Sequence, residues 1–188
     1  IMLNNVRLSY AYLFKPITGT NDSGQATSNY CTHALFDPGH EATALIKAAQ
    51  REVAAAAWGD QAMAVLTQLG AQDRLCLHDG NVAKAGQEAY AGKLYVSANA
   101  KNKPRLVVTR GGVNVEVAEG DPCAPYSGCW ANVLIAVYAQ GANGKPSKYG
   151  KRVNAQLLGV QFLRHDTRFG GGRVAALDEF PAAPAEAD

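Results

Sequence analysis

Period-two alternation recurs along this chain in segment after segment, and one stretch alone departs from it. Over residues 2–14 the sequence alternates around Val6, Leu8 and Tyr10, with Arg7 and Ser9 opposite. Side chains alternating in this way stand on the two faces of a strand. The pattern returns over residues 30–36, 93–98, 105–109, 129–139 and 152–164. Between these runs lie a polar Gly/Asn/Ser stretch at 18–29, which reads as a loop or hairpin tip, and a turn at Asp79-Gly80-Asn81.

The departure is Ala-rich. Over residues 40–58, Leu45, Ile46, Ala49 and Val53 recur at helical spacing, and Gly59 closes the run. Asp37-Pro38 stands before it in the order of a cap and a first-turn proline. A second short helix is expected over 61–69, stopping at Gly70. The charges here are sparse and of mixed sign, so the helices read as a core-covering insertion at about 38–70 rather than a binding element. Five or six strands with one helical excursion predict a chain that is mainly β, either a small Greek-key barrel or a compact α+β domain.

One domain accounts for residues 1–177. The Gly170-Gly171-Gly172 run marks where packing ends, and the Pro/Ala/Asp/Glu composition of 178–188 predicts a tail unable to order itself. No apolar run approaches the roughly 20 residues that cross a bilayer. No signal-peptide pattern opens the chain, and the host cytoplasm is the expected location.

Charge is distributed unevenly. The formal net charge is +2, yet from Pro122 to His165 there is no acid, while Lys145, Lys148, Lys151, Arg152 and Arg164 all fall there. Upstream, Lys84, Lys93, Lys101, Lys103, Arg105 and Arg110 share their stretch with Glu88 alone. The tail reverses the sign, with Asp178, Glu179, Glu186 and Asp188 around Phe180. Without residues 178–188 the chain counts 18 basic against 12 acidic residues, or +6. A basic body threaded with aromatics is suited to a polyanion.

Particular faces sharpen this. Period-two geometry sets Lys93, Tyr95, Ser97, Asn99 and Lys101 on one face and Leu94, Val96, Ala98 and Ala100 on the other. The second face is core. The first carries a ring between two ammonium groups, which suits a single strand whose bases stack while its phosphates meet cations; an ordinary solvated face is the alternative. Lys101-Asn102-Lys103-Pro104-Arg105 follows directly and reads as a phosphate contact. Further on, Trp130 and Tyr138 share a face and are either stacking platforms or rings packed under the helices. The stretch 143–152 is a hairpin loop with Lys145, Lys148, Lys151, Arg152 and Tyr149.

Catalytic patterns are missing. There is no phosphate-loop, H-E-x-x-H or G-x-S-x-G motif. Glu116, Glu119 and Asp121 are the best grouping for a nuclease metal, set against a solvated loop before Pro122. Cys31, Cys76, Cys123 and Cys129 form no C-x-x-C pair, and Cys31-Thr32-His33 is the nearest approach to a metal pair. Buried thiols in a reducing compartment fit the four better. No metal or cofactor is expected.

Several segments together resemble a known family. They are Val6-Arg7-Leu8-Ser9-Tyr10, Leu13-Phe14-Lys15-Pro16, Leu77-His78-Asp79-Gly80-Asn81 and the run from Tyr90 through Tyr95 to Lys101. Tyr126-Ser127-Gly128-Cys129-Trp130-Ala131, the strand 157–164, Phe169-Gly170-Gly171-Gly172 and Asp178-Glu179-Phe180 complete the set. In this order they resemble a family of bacteriophage single-stranded DNA-binding proteins. The resemblance implies an OB-type barrel with extra hairpins and sequence-tolerant, non-enzymatic binding of single-stranded DNA in replication or recombination. It also implies a tail (Asp178, Glu179, Phe180, Glu186, Asp188) that recruits replication or recombination proteins or competes with DNA, although the terminal Pro-Phe of bacterial housekeeping binders is missing.

DNA contact is expected at Arg7, Lys93, Tyr95, Lys101, Lys103, Arg105, Trp130, Tyr138, Lys148, Tyr149, Lys151 and Arg152. Two rival readings are a small metal-dependent nuclease and a virion or assembly protein whose basic face meets another protein. Oligomeric state is left open, self-association included.

Overall fold

The computed structural model describes residues 1–20 and 24–170. Gly171, Gly172 and the tail residues Asp178, Glu179, Phe180, Glu186 and Asp188 lie outside the described residues, as does the tip of the first hairpin.

Eight strands form one sheet: β1 (Met2–Thr20), β2 (Ala26–Phe36), β3 (Leu77–Asp79), β4 (Leu94–Ala100), β5 (Arg105–Arg110), β6 (Val113–Glu116), β7 (Trp130–Gln140) and β8 (Arg152–Arg164). Five of them close a barrel in the order β4-β2-β1-β7-β8. The closure is a short parallel ladder pairing Ala98 with Ala155 and Asn99 with Gln156. This is the five-stranded Greek-key barrel of an OB fold, with β3, β5 and β6 as additions.

The outer edge of β8 is shared. Its first half pairs with β4, and its second half pairs in parallel with β5, where Arg105 meets Gly159 and Leu106 meets Val160. Lys101, Asn102 and Lys103 are therefore an exposed break between two strands that follow one another along one edge, with Pro104 buried behind them. Gly159 lets β5 in close, because a Cβ there would lie 3.0 Å from the Arg105 carbonyl oxygen.

Alternation fills the barrel as expected. Leu3, Val6 and Leu8 of β1, Ala34 and Phe36 of β2, Val96 and Ala98 of β4 and Ala131, Val133 and Ile135 of β7 all point inward and are buried. Each Val or Leu taken fully out of water stabilises the barrel by roughly 1.5–3 kcal/mol. Three register shifts interrupt β1, one between Leu3 and Val6 on the β7 side and two on the β2 side, the first between Ser9 and Tyr12 and the next between Tyr12 and Ile17. At the one between Ser9 and Tyr12, Tyr10 takes φ 49°, leaves the inner face, and Leu13 takes up the inward position instead. The alternation had grouped Tyr10 with Val6 and Leu8; an extra residue in the ladder reverses the phase beyond it.

The insertion is two helices, α1 (Glu41–Trp58) and α2 (Ala62–Ala71), joined by a 3-10 turn. Their ends differ from expectation. The α1 cap is His40, whose Nδ1 accepts from the Ala42 N–H at 3.1 Å, while Asp37 and Pro38 form the turn before it. Gly59 closes α1 as read, but α2 runs through Gly70 to Ala71. The inward face of α1 is Ala42, Ile46, Gln50, Ala54 and Trp58, and it packs against β7; Leu45 points out. No helix of the described residues is long and apolar enough to cross a membrane.

Candidate nucleic-acid interface

The barrel register assembles one row across its outer surface. Trp130 pairs with Arg7, Arg7 with Leu35, Leu35 with Tyr95 and Tyr95 with His78, on β7, β1, β2, β4 and β3 in turn. A groove of ≈ 1190 Å³ runs over this surface. One wall is the segment carrying Tyr90 and Lys93. The other is Trp130 with the strap that follows β8, from Asp166 to Gly170, and Tyr10 and Tyr12 stand exposed at its mouth.

From the groove inward four rings follow one another in a column, Tyr10 tilted against His33 and the other three stacked. Tyr10 lies 4.9 Å from His33, His33 4.7 Å from Tyr95, and Tyr95 4.9 Å from His78. The Tyr90 hydroxyl shares a 2.7 Å hydrogen bond with His33 Nδ1. Burial, with Lys84 and His78 adding to it, pulls His33 down to about 4, and burial pushes Tyr95 up to about 12. Near neutral pH His33 and Tyr95 therefore carry no charge, as suits rings packed on one another out of water. The exposed end of the column is Tyr10, with the Lys84 ammonium 4.9 Å from its ring centroid.

Tyr95 does not stand on an open strand face as its spacing predicts. Its ring is 4% exposed and packs with Leu35 and Tyr90 beneath the groove, so it presents no face to solvent. A strand covered on its outer face by a neighbouring segment, here Tyr90 on the loop before β4, looks from sequence like one that faces water.

The strap is tightly laid. Arg7 donates to the carbonyls of Gly128 (3.1 Å) and Thr167 (3.0 Å), faces Asp166 at 3.3 Å and covers the Phe169 ring at 4.3 Å. Trp130 Nε1 donates to Asp166 at 2.7 Å, and Arg164 stacks on the indole at 4.4 Å. Trp130 is thus neither packed under the helices nor bare, but a half-buried part of the groove wall.

The other cations divide into two sets. Lys93 is paired with Asp37 at 2.6 Å and Arg105 with Glu116 at 3.0 Å. Lys101, Lys103, Lys148, Lys151 and Arg152 have no carboxylate partner among the described residues. Lys103 sits over Phe14, Lys148 over the exposed Tyr149, and Lys151 over Trp58. Tyr138 is exposed on the outer face of β7.

The carboxylates proposed for a nuclease metal are dispersed. Glu116 faces Arg105, Glu119 faces Lys15, and Asp121 is held by Arg110 through both oxygens at 2.7 and 2.8 Å. Among the described residues no three His, Cys, Asp or Glu side chains gather as a metal site.

The sequence profile of the Enterobacter phage Enc34 ssDNA-binding protein family matches residues 1–188. The chain belongs to that family. It is also 36% identical over 183 residues to protein p50 of Acyrthosiphon pisum secondary endosymbiont phage 1, covering 96% of this chain and 91% of that one. The single-stranded DNA-binding protein of bacteriophage Enc34, solved in complex with ssDNA, superposes with a TM-score of 0.64 at 25% identity, over 90% of this chain and 88% of that one. The fold alone is shared with gp2.5, a single-stranded DNA-binding protein of bacteriophage T7, at TM-score 0.52 and 13% identity over 97% and 96% of the two chains. Family membership puts the chain among binding proteins and not among enzymes, which removes the nuclease reading.

Tyr10, Tyr12, Lys84, Tyr90 and Phe169 belong to the groove or its rim and are not among the DNA contacts expected from the sequence. The signal available for Tyr10 and Tyr12 was their own spacing in a strand otherwise rich in aliphatic residues. Phe169 stood in a segment that carries the family resemblance, but nothing local sets it in the groove, since its place depends on a strap folding back.

Proposed function

We propose that this chain binds single-stranded DNA without sequence choice, in phage replication or recombination in the host cytoplasm. The observation that carries the reading is the division among the eight cations assigned from sequence. Three are neutralised by carboxylates, whereas Lys101, Lys103, Lys148, Lys151 and Arg152 stand without one. Unpaired cations on an outer surface release counterions when they meet phosphates, which supplies affinity without base reading. Exposed rings at Tyr10, Tyr12, Tyr138 and Tyr149, with Trp130 in the wall, offer stacking surfaces that any base can use. Arg105 and Lys93 pair across exposed surface, where such bridges are worth about 0–1 kcal/mol, so phosphate can compete for them. Arg7 and Tyr95 act in this reading as wall and floor.

The acidic residues Asp178, Glu179, Glu186 and Asp188, with Phe180, are proposed to meet partner proteins or to compete with DNA for the cations. The test is an anisotropy titration with oligo-dT and a matched duplex at low and moderate salt, with and without the residues after Leu177. Salt-sensitive preference for the single strand, strengthened by truncation, is expected. Equal or no binding to both forms would point to the virion or assembly reading.

A further inference from the structure

The β7–β8 loop, residues 141–151, carries the densest group of unpaired cations, and beside its own turns both of its legs are held from outside. Its first leg is docked on the end of α1: Trp58 Nε1 donates to the Gly141 carbonyl at 3.0 Å, and the Asn143 N–H donates to the Ala57 carbonyl at 3.0 Å. The second contact uses a helix-terminal carbonyl that the helix itself leaves without a donor. The second leg is held by a residue outside the loop. Arg74 Nη2 donates to the Tyr149 carbonyl at 2.8 Å, and the Arg74 carbonyl accepts from the Val153 N–H at 3.1 Å. Gly150, at φ +72°, sits so close that a Cβ would lie 3.2 Å from Arg74 Nη1.

Resting on the DNA-binding reading above, we propose that Arg74 is a positioning residue for strand binding, acting through the β7–β8 loop and not on the nucleic acid. The chain reaches Arg74 through Asp73, whose φ of 53° ends α2 in a left-handed turn and sends the next residue back toward the loop. The guanidinium has no carboxylate partner among the described residues. It is spent on the backbone between Lys148 and Lys151, where it takes the Tyr149 carbonyl and leaves the Tyr149 ring and Lys148 facing outward. Within the loop, Ser147 completes the shape: its Oγ accepts from Gln140 Nε2 at 2.7 Å and its carbonyl accepts from the Gly150 N–H at 2.9 Å. A loop ordered in advance loses less conformational freedom when it meets its ligand, so affinity depends on the clamp. The helical insertion thereby takes part in binding without touching DNA.

The experiment is a double-mutant cycle on oligo-dT affinity, read with the salt slope, using Arg74→Ala and the loop-neutral pair Lys148→Ala/Lys151→Ala. Arg74→Ala is expected to weaken binding about tenfold, the scale on which loss of one charge-assisted hydrogen bond acts. In the loop-neutral background the same change should cost less than about twofold, because coupled residues are not additive. Arg74→Gln, a neutral donor to the same carbonyl, should restore most of the affinity. Gly150→Ala, which disturbs the contact from the other side, should reproduce the loss if Arg74→Ala fails to fold. Full additivity, or an Arg74→Gln protein as weak as Arg74→Ala, would make Arg74 a direct phosphate ligand and overturn the proposal. Wild-type affinity in Arg74→Ala, with weakened binding in the loop-neutral pair, would overturn it while leaving the DNA-binding reading intact. No oligo-dT binding by the unmodified protein would instead remove that reading, and the proposal with it.

Discussion

The indole N–H of Trp130 donates to the Asp166 carboxylate at 2.7 Å, tying the start of β7 to the strap that leaves β8. This bond comes first among the influences that hold the Asp166 carboxyl below its ordinary range, followed by the Thr167 N–H. Arg7 completes the arrangement from β1, so three segments distant in sequence build one wall.

Arg7 is consequently expected to matter for stability more than for phosphate binding. Arg7→Ala should cost about 1–3 kcal/mol in urea unfolding, from its two carbonyl hydrogen bonds and its cover of Phe169. Its ion pair with Asp166 is partly exposed and adds little. The slope of log affinity against log salt should stay as in the unmodified protein, whereas Lys148→Ala or Lys151→Ala should each shift it by about 0.7, the single-strand value for one phosphate.

Gly128 is the backbone condition for the strap. It sits at φ +111°, and a Cβ there would lie 2.2 Å from the Thr167 carbonyl oxygen and 2.8 Å from the Arg168 Cα. Gly128→Ala should therefore lift the strap, destabilising the protein by at least about 1–3 kcal/mol. Hydrogen exchange at Phe169, whose N–H donates to the Ser127 carbonyl at 3.0 Å, should accelerate in the same variant.

His33 predicts a pH dependence. Its folded pKa of about 4 lies below the ordinary value of 6.5, because burial, Lys84 and His78 all oppose the charged form. Between these values the unfolded chain binds more protons than the folded one, so stability rises with pH through that window. The contribution is complete above about 6.5 and is lost as pH falls toward 4, amounting to about 3 kcal/mol. Thermal melts from pH 4 to 7 should show this slope, and His33→Gln should flatten it.

Tyr95 and Tyr149 should separate stability from binding. Tyr95→Ala empties the floor between Leu35 and Tyr90 and should cost about 3–5 kcal/mol of folding stability, as large aromatic truncations do. Tyr149→Ala, at an exposed ring, should leave the melt nearly unchanged and weaken oligo-dT binding by about 1–3 kcal/mol. Equal effects of the two changes on affinity at matched stability would count against the assignment of floor and platform.

The strands and the helical insertion were legible because their signals are local. Alternation at Val6 and Leu8, at Val96 and Ala98, and at Val133 and Ile135 marks the inner faces correctly, since these residues must leave water whatever their partners are. Element ends were less legible. His40 caps α1 with a ring nitrogen, and Asp37-Pro38, the usual cap and first-turn pair, serves as a plain turn.

The site was legible as a composition and not as an arrangement. That the chain would carry cations free of carboxylates followed from the absence of acids between Pro122 and His165. Which cations remain available did not, because Lys93 meets Asp37 from 56 positions away and Arg7 meets the strap from 160. The sequence by itself determined the β character, the barrel-filling residues and the basic body, each set by periodicity or by counting. Only the tertiary structure decided that Tyr10 leaves the core at a bulge, that Tyr95 lies under Tyr90, and that Arg74 holds the basic loop. Those outcomes rest on contacts between segments far apart in the chain, and neither periodicity nor composition carries information about which distant segments meet.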